Sequence, residues 1–207
     1  MLKHLRPCLV AMMGVMILVA GARAQSPGQI FKSPVKNFTI PVPDFPFGTK
    51  VVKQSNKSGG GLVLFWGKDG ESQRIDYFKI HDDSPVPTDS TERHAYFHML
   101  LTALLQEHAA KTLAERNEVL DGVMMLNALV VFTGESQVSV SHNGGPAERL
   151  DSTRGISVFA RGGYVFILQV DVGAPIFNDG GGIPTIEQLG QRSDEYLPKF
   201  YRSITFL

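Results

Sequence analysis

Two histidines four residues apart, His94 and His98, are the pair whose type and spacing most directly suggest chemistry in this chain. On a helix they emerge on one face, one turn apart, where two imidazoles can share a metal ion such as zinc. His108, fourteen residues after His94, points to nearly the same side. It lies about 15 Å beyond His98 along a helix axis, so one metal cannot reach all three. Further ligands would have to come from elsewhere, such as His81 or the Asp82-Asp83 pair just before the helix. Hydrolytic zinc helices carry a glutamate after the first histidine, and Ala95 holds that place here. The plainer reading is a histidine pair on the border of an apolar helical stripe.

Other chemical constellations are weaker. Asp82, Asp83 and Asp89 lack the alternate-residue spacing and central glycine of a hand-type calcium loop, and read as a solvated loop followed by a helix cap. Five residues separate Gly61 from Gly67-Lys68 where a phosphate loop needs four, and Asp69 replaces the hydroxyl that would hold magnesium. Gly180-Gly181-Gly182 can present backbone N–H groups to an anion but more simply supplies a strand-to-helix turn. No Gly-x-Ser-x-Gly motif occurs. A hydrolase would need a site dispersed along the chain. Trp66, Tyr77 and Phe78 read as core or sheet-face residues before they read as a stacking platform.

The elements that must position these residues follow from periodicity. Phe38 to Pro43 alternates but carries two prolines, which predicts an edge strand. Lys50–Gln54, Leu62–Trp66 and Arg74–Ile80 form a meander, with turns at Ser58–Gly61 and Gly67–Gly70. After Pro85 and Pro87, Asp89 is the expected N-cap of a long helix, with Glu92 completing a box-like pattern. Phe97, Leu100, Leu101, Leu104 and Leu105 give that helix one apolar stripe, and it is expected to fade near Arg116-Asn117. Residues 122–132 are a buried apolar run, read as strand although periodicity alone also permits helix. Gln137–Ser141, ending at Asn143-Gly144-Gly145, opens a second meander. Gly155–Ala160 and Tyr164–Val172 then form a hairpin around Arg161-Gly162-Gly163. A final helix opens near Thr185, Pro198 should end or kink it, and Ser203–Leu207 closes as a short strand. Strands, helix, strands, helix is the order of an α+β domain with a largely antiparallel sheet.

The first 24 residues stand apart. Lys3, His4 and Arg6 precede an apolar run from Cys8 to Gly21, and Ala22-Arg23-Ala24 matches the small-x-small pattern of signal peptidase. The run is shorter than the roughly 20 residues of a free-standing membrane span. Residues 1–24 are therefore read as a signal peptide, 25–36 as a flexible leader and 37–207 as a single α+β domain. Cleavage removes the only cysteine, so the mature chain forms no disulfide even in a compartment that permits one. It also removes Lys3, Arg6 and Arg23, leaving 17 Lys and Arg against 20 Asp and Glu, a formal charge of −3. With no basic stripe in the sequence, nucleic acid and anionic membrane are not expected partners.

The order of elements resembles the PsbP-like superfamily. The residues that carry the resemblance are the Phe38-Thr39-Ile40-Pro41 opening, the first meander, the long helix after Pro87 and the second meander. The closing Tyr196-to-Leu207 segment with Arg202-Ser203-Ile204 completes it. That superfamily includes extrinsic photosystem subunits, a nuclear-import Ran-binding factor and exported bacterial proteins. The resemblance implies an α/β/α sandwich around an antiparallel sheet, with the long central helix and the C-terminal helix packed on it. It also implies non-enzymatic work as a binding or assembly module, with no catalytic residue to carry over. The expectation is an exported protein, periplasmic or extracellular, that binds an unidentified protein or small ligand. A metal protein using His94 and His98 with zinc is the alternative from a different class, and a hydrolase the third.

Overall fold

The computed structural model describes residues 23–46, 48–67, 70–82, 84–108, 110–135, 139–140, 148–149, 151–173 and 184–207. The charged and apolar parts of the expected signal peptide (residues 1–22) lie outside them. So do Lys68-Asp69, Asp83, Asn143-Gly144-Gly145 and Gly180–Gly182.

Alternation of apolar residues produces most of the strands. In chain order these are β1 (Arg23–Gln25), β2 (Ile30–Lys32), β3 (Phe38–Pro41), β4 (Thr49–Ser55), β5 (Gly61–Gly67) and β6 (Ser72–Lys79), then helix α1 (Ser90–Glu107). There follow β7 (Ala110–Leu120), β8 (Val123–Phe132), β9 (Ser139–Val140), β10 (Glu148–Arg149), β11 (Ser152–Arg161), β12 (Tyr164–Asp171), helix α2 (Ile186–Ser203) and β13 (Thr205–Phe206). The main sheet has the order β1-β4-β5-β6-β12-β11-β8-β7, every neighbour antiparallel. Each meander is local. The sheet becomes one body where β6 pairs with β12, setting Arg74 opposite Gln169 and Tyr77 opposite Phe166.

Because side chains alternate across a strand, two cores form on opposite faces. Val63, Phe65, Ile75, Tyr77, Phe159, Phe166 and Leu168 point to the face covered by α2 and by the small sheet β13-β3-β2. Phe166 stacks on Phe159 at 5.5 Å and meets Phe206 edge-on at 5.0 Å. Val130, Phe132, Ile156, Val158, Val165 and Ile167 point the other way and are covered by Phe97, Leu100, Leu101 and Leu104 of α1. The architecture is the expected α+β sandwich, a helix on each side of an antiparallel sheet.

Three local expectations need correcting. The long helix does not reach Arg116; it ends at Glu107, and Ala110–Leu120 is the edge strand β7. Its Ala, Leu, Glu and Arg favour helix, but pairing along β8 outweighs propensities that differ by less than about 0.7 kcal/mol per residue. The sequence signal for this pairing is Asp121-Gly122, whose positive φ values of 50° and 78° make the tight primed turn that joins β7 to β8. Pro198 does not end α2, which continues to Ser203. The missing backbone bond and ring clash cost about 3 kcal/mol, less than the burial of Leu197, Phe200 and Tyr201 returns at roughly 1.5–3 kcal/mol each. Residues 25–36, expected to be a flexible leader, contain β2, where a single aromatic, Phe31, is buried among Phe38 and Phe65.

The caps explain the helix starts. The Asp89 carboxylate accepts from the N–H groups of Thr91 and Glu92. The reciprocal capping box occurs at α2, between Thr185 and Gln188.

Candidate functional site

The helix expected to carry His94 and His98 exists, and both rings reach β7. His94 Nδ1 lies 2.8 Å from Asn117 Oδ1, and His98 Nδ1 lies 3.0 Å from Glu115 Oε1. The ring centroids are 6.2 Å apart. His108 caps the helix 2.8 Å from Glu135 Oε1. Rather than binding one another, His94 and His98 thus tie α1 to the edge strand β7, and His108 ties the helix end to the segment after β8. Among the described residues no three His, Cys, Asp or Glu side chains converge as metal ligands. His81 and Asp82 are exposed in the loop before the helix, and Asp89 serves as the cap.

A different cluster is assembled by the sheet. On the face that α1 covers, the apolar rows give way to charge beyond the end of the helix. Arg154 of β11 donates through Nε to Ser152 Oγ at 3.0 Å and through Nη2 to Glu135 Oε2 at 3.2 Å, and lies over the Phe132 ring at 4.3 Å. Ser152 Oγ donates to Asp171 Oδ2 at 3.2 Å, and Gly173 N–H donates to Asp171 Oδ1 at 3.1 Å. On β6, Arg74 grips Asp76 with two bonds of 2.7 and 2.8 Å, and Gln169 Nε2 donates to Asp76 Oδ2 at 3.2 Å. The residues come from β6, β8, β11 and β12 and from the segments that follow β8 and β12. Antiparallel register places them side by side.

Burial governs the electrostatics of this row. It pushes the Asp171 carboxyl up to about 6, against the opposing pull of Arg154 and of the bonds from Ser152 and Gly173. Burial also lowers the Arg154 guanidinium from its ordinary value, partly offset by Glu135 and Asp171. A carboxylate that takes up a proton near neutral pH is a group able to report or transfer one. Here its oxygens are already held by Ser152 and Gly173 and its neighbour is a positioned arginine, so the arrangement supports charge storage and rigidity. The sequence reading missed these residues because they are scattered from position 74 to 171.

Beyond the charged row, the same face runs onto β5 and β4 with no helix over it among the described residues. Register sets Lys50 beside Trp66, Val52 beside Leu64 and Gln54 beside Leu62. Val52, Leu62, Leu64 and Trp66 are half-buried and belong to neither core. The Lys50 ammonium lies 5.4 Å over the Trp66 ring. Of the three aromatics considered together in the sequence, Tyr77 is wholly buried on the opposite face and Phe78 packs against the α1 core. Trp66 alone lies in the uncovered strip. On the other side of the molecule, a shallow cavity of about 300 Å³ lies between α2 and β3, bordered by Pro41, Pro43, Gln73, Tyr196 and Lys199.

No family model matches the sequence, and no curated protein is similar to it. Among solved structures, cyanobacterial PsbP from Synechocystis superposes with a TM-score of 0.50 at 12% identity, over 95% of this chain and 99% of that chain. The Ran-binding protein Mog1p of Saccharomyces cerevisiae aligns with a TM-score of 0.41 at 14% identity, over 90% and 96% of the two chains. By the layering of its sheet and helices and by this likeness, the chain has a PsbP-like α+β fold.

Proposed function

We propose that this is an exported, non-enzymatic accessory protein whose mature form begins at Gln25 and works by binding another protein. The observation that carries this reading is the half of the sheet face that no helix covers among the described residues. A chain that has closed two cores elsewhere leaves Val52, Leu62, Leu64 and Trp66 half in water, side by side on adjacent strands. Aromatic and aliphatic side chains in such a strip are what a protein partner buries at the centre of an interface. The signal-like segment before Gln25 supports export, and the PsbP-like fold is in keeping with a binding role. The test has two arms. Protein purified from an exporting host should begin at Gln25 and show no turnover in a broad esterase, phosphatase and peptidase screen. A photo-crosslinking residue at Leu64 should then capture a specific partner from the exported fraction. Turnover that survives purification, or an uncleaved N-terminus, would overturn the reading.

A second reading, zinc held by His94 and His98, is favoured by one observation. Each ring is fixed through Nδ1 by a side-chain oxygen on β7, as ligating imidazoles are held by their neighbours. It requires a ligand from outside the described residues. Stoichiometric zinc after dialysis, lost in His94→Ala, would establish it.

A further inference from the structure

The charge of the mature chain is small in total but unevenly placed. Residues 25–81 carry eight Lys and Arg against four Asp and Glu, whereas residues 82–207 carry nine against sixteen. Of the first group, Lys50, Lys53, Lys57, Arg74 and Lys79 lie on or beside β4 to β6, at one end of the main sheet, with Glu71 and Asp76 the acidic residues described there. Arg74 on β6 is held by Asp76. Arg116, Arg154, Lys199 and Arg202 each lie in an ion pair. Lys50 and Lys53 on β4, Lys57 in the following turn and Lys79 at the end of β6 are all exposed. None of these four lysines pairs with a carboxylate among the described residues.

The geometry points to the β4–β5 end of the sheet as the docking surface for an acidic segment of a partner protein. The strip of Val52, Leu62, Leu64 and Trp66 supplies the apolar contact on one face, while the unpaired Lys50 on that face and Lys53 on the opposite face of the same edge strand supply the charge. This inference rests on the binding reading above and adds the chemistry of the partner. Three features support it. Four half-buried side chains make a small apolar contact, so the lysines flanking the edge strand contribute both steering and selection. In a chain that begins at Gln25, Arg23 and Ala24 no longer pair with Val51 and Lys50, so among the described residues the outer edge of β4 keeps only the Gln25–Thr49 pairing and the rest can take an extended chain. Exposed lysines on such an edge resist pairing with neutral or basic strands; a segment bearing carboxylates is the one they admit. Repulsion of the wrong partner and attraction of the right one then come from the same side chains.

The test uses the protein from an exporting host and a short synthetic peptide alternating Glu with Phe and Leu. Trp66 is the only tryptophan in the chain, so its fluorescence reports contact with this strip directly. The expected result is a saturable shift with the acidic peptide and none with its counterpart carrying Lys for Glu. Affinity should fall about tenfold in K50E/K53E, and likewise when salt is raised to about 0.5 M. K57E/K79E, set further from the strip, should weaken binding less, and guards against a folding defect in the first variant. Equal binding of the basic peptide, undiminished binding by both charge-reversed variants, or no saturable shift would overturn the proposal. Two other outcomes would also sink it. A shift with phosphatidylglycerol vesicles but not with the peptide would make the occupant a membrane. A shift produced by raising protein concentration alone, with dimers in sedimentation, would make it a second copy of the chain. A partner captured through crosslinkers on α2 but not at Leu64 would leave the binding reading standing and remove this one alone.

Discussion

The two faces of the main sheet are finished differently. On the α2 face, aromatic rings interlock without a break: Phe31, Phe38, Phe65, Tyr77, Phe159, Phe166 and Tyr201 are all buried, joined by edge and stacked contacts of about 5–6 Å. On the α1 face, an aliphatic core stops where the helix stops. A charged row follows, and then a strip that is only half-buried. The first face contributes stability by removing apolar area from water. The second holds ionised groups in a poorly hydrated place, which ordinarily gains little over well-packed apolar residues. The difference teaches that one face is closed by packing throughout, while the other ends in ionised groups and a half-buried strip.

Changes to the aromatic face should be the most damaging. Phe166→Ala removes a wholly buried ring with four aromatic neighbours, and chemical denaturation should show a loss of about 3–5 kcal/mol. A loss below about 1 kcal/mol would mean that the rings are not the main source of stability.

In the charged row, Arg154→Met leaves Glu135 and Asp171 without their cation, and a loss of about 3 kcal/mol is expected. Arg154→Met combined with Glu135→Leu should recover part of it. Recovery would mark the row as replaceable by apolar packing, as the comparison requires. A double variant worse than the single would show that the two groups are not coupled.

Asp171 gives the same row a pH signature. Its folded-state value, about 6, lies above the ordinary 3.8, so between these values the folded protein binds more proton than the unfolded chain. The native state should therefore lose stability as pH rises from about 4 to 6, and then level off. Asp171→Asn should flatten that slope and raise stability at pH 7 relative to pH 4 by about 2 kcal/mol. An unchanged slope in the variant would assign the pH dependence to other groups.

The open strip should matter least to stability. Leu64→Ser touches neither core, and its effect on unfolding should stay within about 1 kcal/mol. Its effect on partner capture should be large. The reverse pattern would make Leu64 an ordinary core residue and erase the distinction between the faces.

Much of the architecture can be read locally. The strands of the first meander, the Gly155–Val172 hairpin, the Asp89 cap, the Thr185 start and the short closing strand all follow from alternation, caps and turn residues. Gly162-Gly163 takes the positive φ values, 57° and 77°, that its hairpin needs. Where local reading failed, a competing local rule was in play. Ala110–Leu120 has a helix-forming composition and the Asp121-Gly122 turn after it, and the turn describes the outcome better. Pro198 breaks helices in isolation, but Leu197, Phe200 and Tyr201 around it are buried. Phe31 is one apolar residue in a polar segment, too sparse to make a periodic signal.

The amino-acid sequence by itself determined the α+β order of elements, the placement of His94 and His98 on one helix, and the likeness to the PsbP-like fold. These depend on residues close together in the chain, whose periods and caps act within a few positions. Only the tertiary structure decided that β6 lies beside β12, that Arg74, Asp76, Gln169, Asp171 and Arg154 share one row, and that Lys50 of β4 stands over Trp66. Those arrangements come from pairing across about 90 residues of chain, from Asp76 to Gln169. Such contacts leave no period in the sequence, because they are selected by the register and burial of the completed sheet rather than by any neighbouring residue.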